Sequence, residues 1–331
     1  MAIKAPLRWA GCAWPLLFLG FQLPGTLHAQ SLSHVSAAFV DAGVGPRAAA
    51  LGQAGAASGD GVESVEWNPA AAASLEGVEL GFAYLDQIAL VPYAQADLGI
   101  RLGGNWGGVL TLRDSGDDAL HETSLGISLA RRLGRLSVGA TGRLLMATFG
   151  RNDLSATDYA VFDPAEVAEA LGNQVQGDAL GFSLGIGARY AVGRAALGIA
   201  LRNAVSPITW NSGLSGGGGT GSYSEDLPVE LVVGAQIPAG RAGLLRMDYR
   251  PATSEDLDPV VRAGAEWVLA EVLALRLGTE RYFNGRADDR LTAGFGLLVP
   301  AGQRMRISAG YAYADSFLGA SQQVALTVRV R

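Results

Sequence analysis

The stretch Gly45–Ala70, GPRAAALGQAGAASGDGVESVEWNPA, decides how the rest of the chain is read. It has neither helical nor strand periodicity, because Gly45, Gly52, Gly55, Gly59 and Gly61 interrupt any regular pattern. Trp67-Asn68-Pro69-Ala70 closes it. A segment with so little side-chain bulk has little rotamer entropy to lose, so it can thread a confined space. The expectation is a plug inside a barrel.

On its N-terminal side lies an export signal over residues 1–29. Lys4 and Arg8 give the positive start, Ala13 to Phe21 the apolar core, and Leu27-His28-Ala29 the cut before Gln30. Pro15, Gln22 and Pro24 keep this run short of the roughly 18 apolar residues that a spanning helix needs. Cys12 precedes the apolar core, so it belongs to the signal and is no lipid-attachment site. The mature chain then has no cysteine, hence no disulfide and no thiolate-held metal. Lys4 and Arg8 leave with the signal, so the 25 basic residues fall to 23 against 31 acidic ones, a formal charge of −8. That balance excludes nucleic acid, which requires a basic face. No mature segment is apolar enough to cross a bilayer as a helix. Membrane residence therefore demands a closed barrel.

On the C-terminal side, from Val78 on, about fourteen segments alternate apolar with small or polar residues at period two. Leu180, Phe182, Leu184 and Ile186 share one parity, and Val324, Leu326, Val328 and Val330 end the chain the same way. The other parity carries glycine and charge, including Asp97, Arg143, Arg202, Glu230, Arg262, Glu266, Arg276 and Glu280. A soluble sandwich and a membrane barrel both alternate, but these segments approach the roughly 9–11 residues of a tilted spanning strand. Connection lengths separate the two. Tiny turns such as Gly103-Gly104 and Leu133-Gly134 alternate with longer connections at 114–120, 149–177 and 204–226, as short periplasmic turns alternate with outer loops in outer-membrane barrels. Tyr84, Tyr249, Phe283 and Tyr313 fall near the outer strand ends, and Trp106, Tyr190 and Trp267 near the inner ones, as aromatic girdles do. The fold expected is all-β: a plug over 30–77 and a 14-stranded antiparallel transmembrane barrel over 78–331.

Few residues suggest chemistry. Phe39 to Ala48, FVDAGVGPRA, imitates a dinucleotide fingerprint, but no strand–helix alternation follows it. His34 and His121 have no nucleophile in view, and His121 falls at the outer rim, so no catalytic residue and no enzyme is expected. Asp114, Asp117 and Asp118 crowd one outer loop, but Leu125 stands where a calcium loop would need its bidentate Glu. No metal and no cofactor is expected. Inward Arg and acid of both signs favour pairing across the lumen over an anion path. In the third outer loop, Asp163-Pro164-Ala165-Glu166 reads as a helix start, so a short helix over 164–171 would present Val167 and Leu171. The fourth carries Ile208, Trp210 and Leu214 beside the Gly216 to Gly219 run. These apolar loops either fold over each other as a lid or form a groove for a greasy molecule or a protein partner.

The Gly45, Arg47, Ala48, Gly52, Ala54, Asn68, Pro69 and Ala70 pattern, followed at once by strands, resembles the N-terminal region of the FadL-like (OmpP1/FadL) outer-membrane barrels. More closely, it resembles their shorter PorV/PorQ branch. The resemblance implies that the plug motif Gly45, Arg47, Gly52, Asn68, Pro69 and Ala70 forms a luminal hatch. In the fatty-acid channels a kinked third strand opens the wall sideways, which would place that opening at Gly107 and Gly108, beside Asn68-Pro69-Ala70. The PorV branch implies type IX-like secretion, with secretion components or a cargo protein as partners. The fatty-acid branch implies passive transport of long-chain fatty acids or other hydrophobic molecules. A length of 331 and a charged inward face favour the secretion reading, with Val167, Leu171, Ile208, Trp210 and Leu214 as the contact loops. One departure is the C-terminus, Val330-Arg331, where the family tends to end in Phe. Either branch implies contact with outer-membrane lipid of a Gram-negative-type bacterium.

Overall fold

The computed structural model describes residues 43–88, 90–117, 119–150, 174–254, 257–283, 289–315 and 319–331. Sixteen strands form in it: β1 (Val78–Gln87), β2 (Val91–Gly103), β3 (Trp106–Gly116), β4 (Leu120–Leu133), β5 (Leu136–Phe149), β6 (Val175–Val192), β7 (Ala195–Val205), β8 (Pro207–Leu214), β9 (Gly221–Asp226), β10 (Glu230–Ala239), β11 (Gly243–Arg250), β12 (Val260–Leu269), β13 (Leu273–Tyr282), β14 (Arg290–Pro300), β15 (Met305–Ala314) and β16 (Ser321–Val330). Neighbours pair antiparallel from β1 to β7, β7 passes to β10, and β10 to β16 return to β1. Fourteen strands close the barrel; β8 and β9 stand above its wall.

The alternation forces the closure. On β6, outward Leu180, Phe182, Leu184 and Ile186 are exposed, while the alternating Ala179, Gly181 and Ser183 are buried. Exposed leucines on nearly every strand would be intolerable in water but match a hydrocarbon surround, which also leaves no water to satisfy an open sheet edge. Tyr84, Tyr249 and Tyr313 at one end of this apolar face, and Trp106, Tyr190 and Trp267 at the other, all point outward. Leu184→Arg should therefore cost about 2–4 kcal/mol near the bilayer midplane. Arg at its inward neighbour Gly185 should cost clearly less, read as the temperature at which the folded band on a gel converts to the unfolded one. Equal tolerance at both positions would overturn the parity.

One part of the wall departs from the expectation. The β6–β7 ladder runs from Val192↔Ala195 to Ile186↔Leu201 and resumes at Leu184↔Val205, so β7 inserts two extra residues across Arg202 and Asn203. Asn203 adopts φ 52, the left-handed conformation that Asn tolerates better than most side chains. Above this bulge β8 continues in the same register on β6, from Gly181↔Ile208 to Val175↔Leu214, and β9 pairs back onto β8. The segment 204–226, expected as a loop, is largely a β-hairpin that extends the wall. Two inserted residues preserve parity, so Ile208 faces the same way as inward Ala200 and is only 1% exposed.

Candidate functional site

Residues 43–75 run around the inside of the barrel and make contact with the wall on every side. A single helical turn, α1 (Pro46–Ala49), packs on β14 to β16, and two 3₁₀ turns, Val62–Glu66 and Pro69–Ser74, pack on β1 and β2 and on β3 to β6. Trp67, 4% exposed, is the plug's own centre; the backbones of Gly43, Gly45 and Gly55 press on its indole, where any Cβ would collide. Gly52 takes φ +65, which lets the chain turn with its back against Thr279. The wall answers with glycines of its own. A side chain at Gly107, Gly198 or Gly278 would strike the plug backbone at Ala72, Ala56 or Gly52, and one at Gly187 would strike the Asn68 amide.

Polar clasps supplement this close approach. The Gln323 amide accepts from Gly45 N (2.9 Å) and donates to Gly43 O (3.1 Å). Arg47 forks onto Glu266 (2.7 and 2.9 Å) and pairs with Asp60 (2.8 Å). Gly52 N donates to Thr292 Oγ1 (3.0 Å), while Gly55 N and Ala56 N both donate to one oxygen of Asp248 (2.8 Å each). Asn68 Oδ1 caps Ala70 N (3.0 Å), and Asn68 Nδ2 donates to Ala56 O (2.7 Å) and Ala188 O (3.0 Å). Glu66, almost fully buried, takes Arg113 (2.8 Å) and Arg143 (2.9 Å) on one carboxylate oxygen. Gly45, Arg47, Gly52 and Asn68 of the expected plug motif bond to the wall, and Pro69 and Ala70 lie against the backbone of Gly139. Glu66 and Gln323, which the sequence did not single out, and Asp248, expected only as one of the inward charges, also hold the plug–wall junction.

The inward charges pair across strands: Arg262 with Glu280 (3.3 Å), Arg276 with Glu266 (2.7 Å), and both Arg202 and Arg250 with Glu230. They form a belt at plug height. A basin of about 260 Å³ below it is lined by Arg47, Glu63, Arg276, Arg306 and Arg329 and lies toward the short turns.

Above the belt the lining changes character. Leu85, Tyr93, Leu145, Ala147, Ala179, Ile208 and Leu227 converge with plug residue Val44 in one apolar cluster, with Val91, Leu120 and Trp210 packed against it. Tyr93 is fully buried, and the Trp210 ring lies 5.9 Å from that of Phe149 while its Nε1 donates to Glu225. The inward face was expected to be glycine and charge throughout; near its outer end the side formed by β1, β2, β5, β6 and β8 is instead apolar, while Glu122, Glu230, Arg250 and Glu280 keep the rest charged. The signal was present in Leu85, Tyr93 and Leu145, apolar residues on the inward parity near outer strand ends.

Other expected sites fare differently. Gly107 and Gly108 both pair on both edges, with Arg101 and Ile100 of β2 and with Ala130 and Leu129 of β4, and a β2 bulge between Arg101 and Gly103 lies just beyond Gly107. Gly107 makes room for Ala72 of the plug, and Gly108 faces lipid beside Leu102 and Leu129. Asn68 and Pro69 lie against β5 to β7 rather than β3. Ile208 and Trp210 turn into the lumen and offer no outward contact surface, and Leu214 sits near the hairpin tip. Val167 and Leu171, like the export signal, His34 and Asp118, lie outside the described residues. His121 sits at the outer rim on Asp114 (3.0 Å), and Asp117 accepts from Ala119 N (2.9 Å) within its turn.

Neither a protein-family model nor a curated protein sequence matches the chain. Solved structures do. A Pseudomonas aeruginosa FadL homologue superposes with a TM-score of 0.59 at 12% identity, covering 86% of this chain and 97% of its own. The Ralstonia pickettii toluene transporter TbuX gives 0.57 at 15%, covering 87% and 98%. The monoaromatic hydrocarbon channel CymD gives 0.57 at 15%, covering 87% and 97%. The chain therefore has the FadL-type fold, that of an outer-membrane barrel of Gram-negative bacteria. At such identities the likeness speaks to architecture, and the lining has to speak for the cargo.

Proposed function

We propose that this protein is a passive outer-membrane channel for small hydrophobic molecules. The apolar lining of the outer lumen carries the reading. Leu85, Tyr93, Leu145, Ile208 and Leu227, each no more than 3% exposed, pack into an inward cluster in the outer lumen, so a greasy solute that parts these side chains leaves water there, worth about 25 cal/mol per Å² of apolar surface covered. Structural neighbours described as toluene transporters and a monoaromatic hydrocarbon channel support it. The competing PorV/PorQ-like reading, secretion or surface assembly with a cargo protein, relied on apolar side chains displayed outside. Ile208 and Trp210 point the other way, and nothing in the comparisons favours type IX secretion.

The test is uptake of labelled toluene and of a labelled long-chain fatty acid by cells that express the chain in place of their own hydrophobic-compound channels. Ile208→Asp and Leu145→Asp, which place a charge among apolar neighbours, should each lower uptake roughly tenfold or more, since an unpaired charge there is strongly disfavoured. The folded gel band should persist. Undiminished uptake in both variants, with the hairpin 207–226 instead required for display of a surface protein, would return the secretion reading.

A further inference from the structure

The rim of short turns is basic almost all the way round. Arg131, Arg132 and Arg135 flank the β4–β5 turn, Arg194 and Arg241 sit in the β6–β7 and β10–β11 turns, and Arg304 sits in the β14–β15 turn, all exposed. Arg101, Arg306 and Arg331 are exposed at the same end. Among the described residues of this rim, only Glu76 and Glu271 oppose them, and Glu76 is already paired with Arg331. The opposite rim is acidic, with Asp114, Asp117, Asp178, Asp226 and Asp289 exposed. Among the described residues, the exposed arginines of this acidic chain gather at the short-turn end, Arg281, beside Asp289, standing at the other.

Neither folding nor the lumen accounts for this. Most lumen arginines at plug height have carboxylate partners of their own, and on the rim Arg131 points outward while Arg194 and Arg241 lie in the turns themselves; Arg306 lines the luminal basin. Arg131 shares the outward parity of Leu129 and Leu133 and holds its guanidinium 5.4 Å above the outward ring of Trp106. Arg194 fixes the neighbouring turn by donating to the carbonyl oxygens of Gly240 (2.9 Å) and Arg241 (3.0 Å), which keeps two cationic turns side by side. Trp106, Tyr190 and Trp267 mark the height at which hydrocarbon gives way to headgroups, and the arginines lie at and just beyond it. A soluble protein partner would call for a patch on one side. Cations spread around the circumference match something that itself surrounds the barrel.

We infer that this arginine rim binds the phosphate headgroups of anionic phospholipids in the leaflet it faces, anchoring the barrel and setting its height. Guanidinium forks suit phosphate oxygens, and each cation near an anionic surface adds to the attraction. Arg131 stacked on Trp106 would grip a headgroup where the acyl chains begin.

The experiment uses the full mature chain and a variant in which Arg131, Arg132, Arg135 and Arg304 are all replaced by Gln. Both are reconstituted in phosphatidylcholine vesicles with and without phosphatidylglycerol, and retained lipid is counted by native mass spectrometry. The original chain should retain phosphatidylglycerol over phosphatidylcholine by on the order of tenfold, falling several-fold in about 0.5 M salt as headgroup attraction is screened. The variant should lose most of that preference while converting to its unfolded gel band at the original temperature in pure phosphatidylcholine. An unchanged preference in the variant would overturn the inference. So would millimolar inorganic phosphate that displaces the lipid completely, since the rim would then be a free-anion site.

Discussion

Glu66→Leu should loosen the plug more than any other single change to it. Glu66 holds Arg113 and Arg143 at once from a position with almost no exposure, so its removal strands two guanidinium groups in a confined lumen. Breaking a buried pair from one side costs about 3–5 kcal/mol, because the remaining charge stays desolvated. Two readouts should move together: the unfolding temperature of the barrel should fall, and a planar-bilayer recording should show ion leakage where the original chain shows little. Adding Arg113→Met and Arg143→Met should recover much of the loss, since apolar replacement of a whole buried charge group is often neutral. Burial pushes the Glu66 carboxyl upward, but the fields of Arg113, Arg143 and Arg202 outweigh it and hold the group at about 2. Its folded value lies below its unfolded one, so the clasp contributes fully above about pH 4.5 and is lost as the pH falls toward 2. Leakage should rise over that window in the original chain and be flat in the triple variant. Wild-type stability and no leakage in Glu66→Leu would show that the clasp does not hold the plug.

Gly107→Val and Gly108→Val should behave oppositely, although the residues are neighbours on β3. A Cβ on Gly107 would overlap the Ala72 carbonyl oxygen of the plug, a rigid backbone atom that cannot step aside. One on Gly108 would lie 3.3 Å from the flexible ends of Leu102 and Leu129 on the lipid face. Gly107→Val should therefore displace the second 3₁₀ turn, with a stability loss of roughly 1–3 kcal/mol from overpacking and a rise in luminal leakage. Gly108→Val should be near neutral, as a β-branched residue suits a strand. Electrical leakage and unfolding temperature in the two variants, measured side by side, decide the matter. Equal damage from both would mean that strand geometry at this point, not contact with the plug, is what the glycines serve.

The contrast between these two glycines marks how far the chain could be read before folding. Alternation at period two, the rhythm of short and long connections and the bulk-free stretch from Gly45 to Ala70 sufficed for a barrel with something inside it. All three are local properties: side chains alternate on a strand regardless of which strand lies beside it. Even the pairing of inward charges could be anticipated, because Arg and acid shared one parity. What stood opposite what could not be anticipated. Glu66 is one acid among many until the ring closes and brings β3 and β5 to it. Gly107 reads as a flexible hinge until Ala72 arrives against it.

The outer lumen was misjudged for the same reason. Ile208 and Trp210 follow Ser206-Pro207 and precede a glycine run, so their surroundings read as a loop, and apolar loop residues suggest a displayed surface. The two-residue bulge at Arg202 and Asn203 keeps β8 in step with β6 and turns Ile208 inward, toward Leu145 and Tyr93 from strands far away in sequence. Parity along one strand is set by its own residues. Which residues of different strands meet at one height depends on register, bulges and the closure of the ring, and these exist only once all fourteen strands are paired.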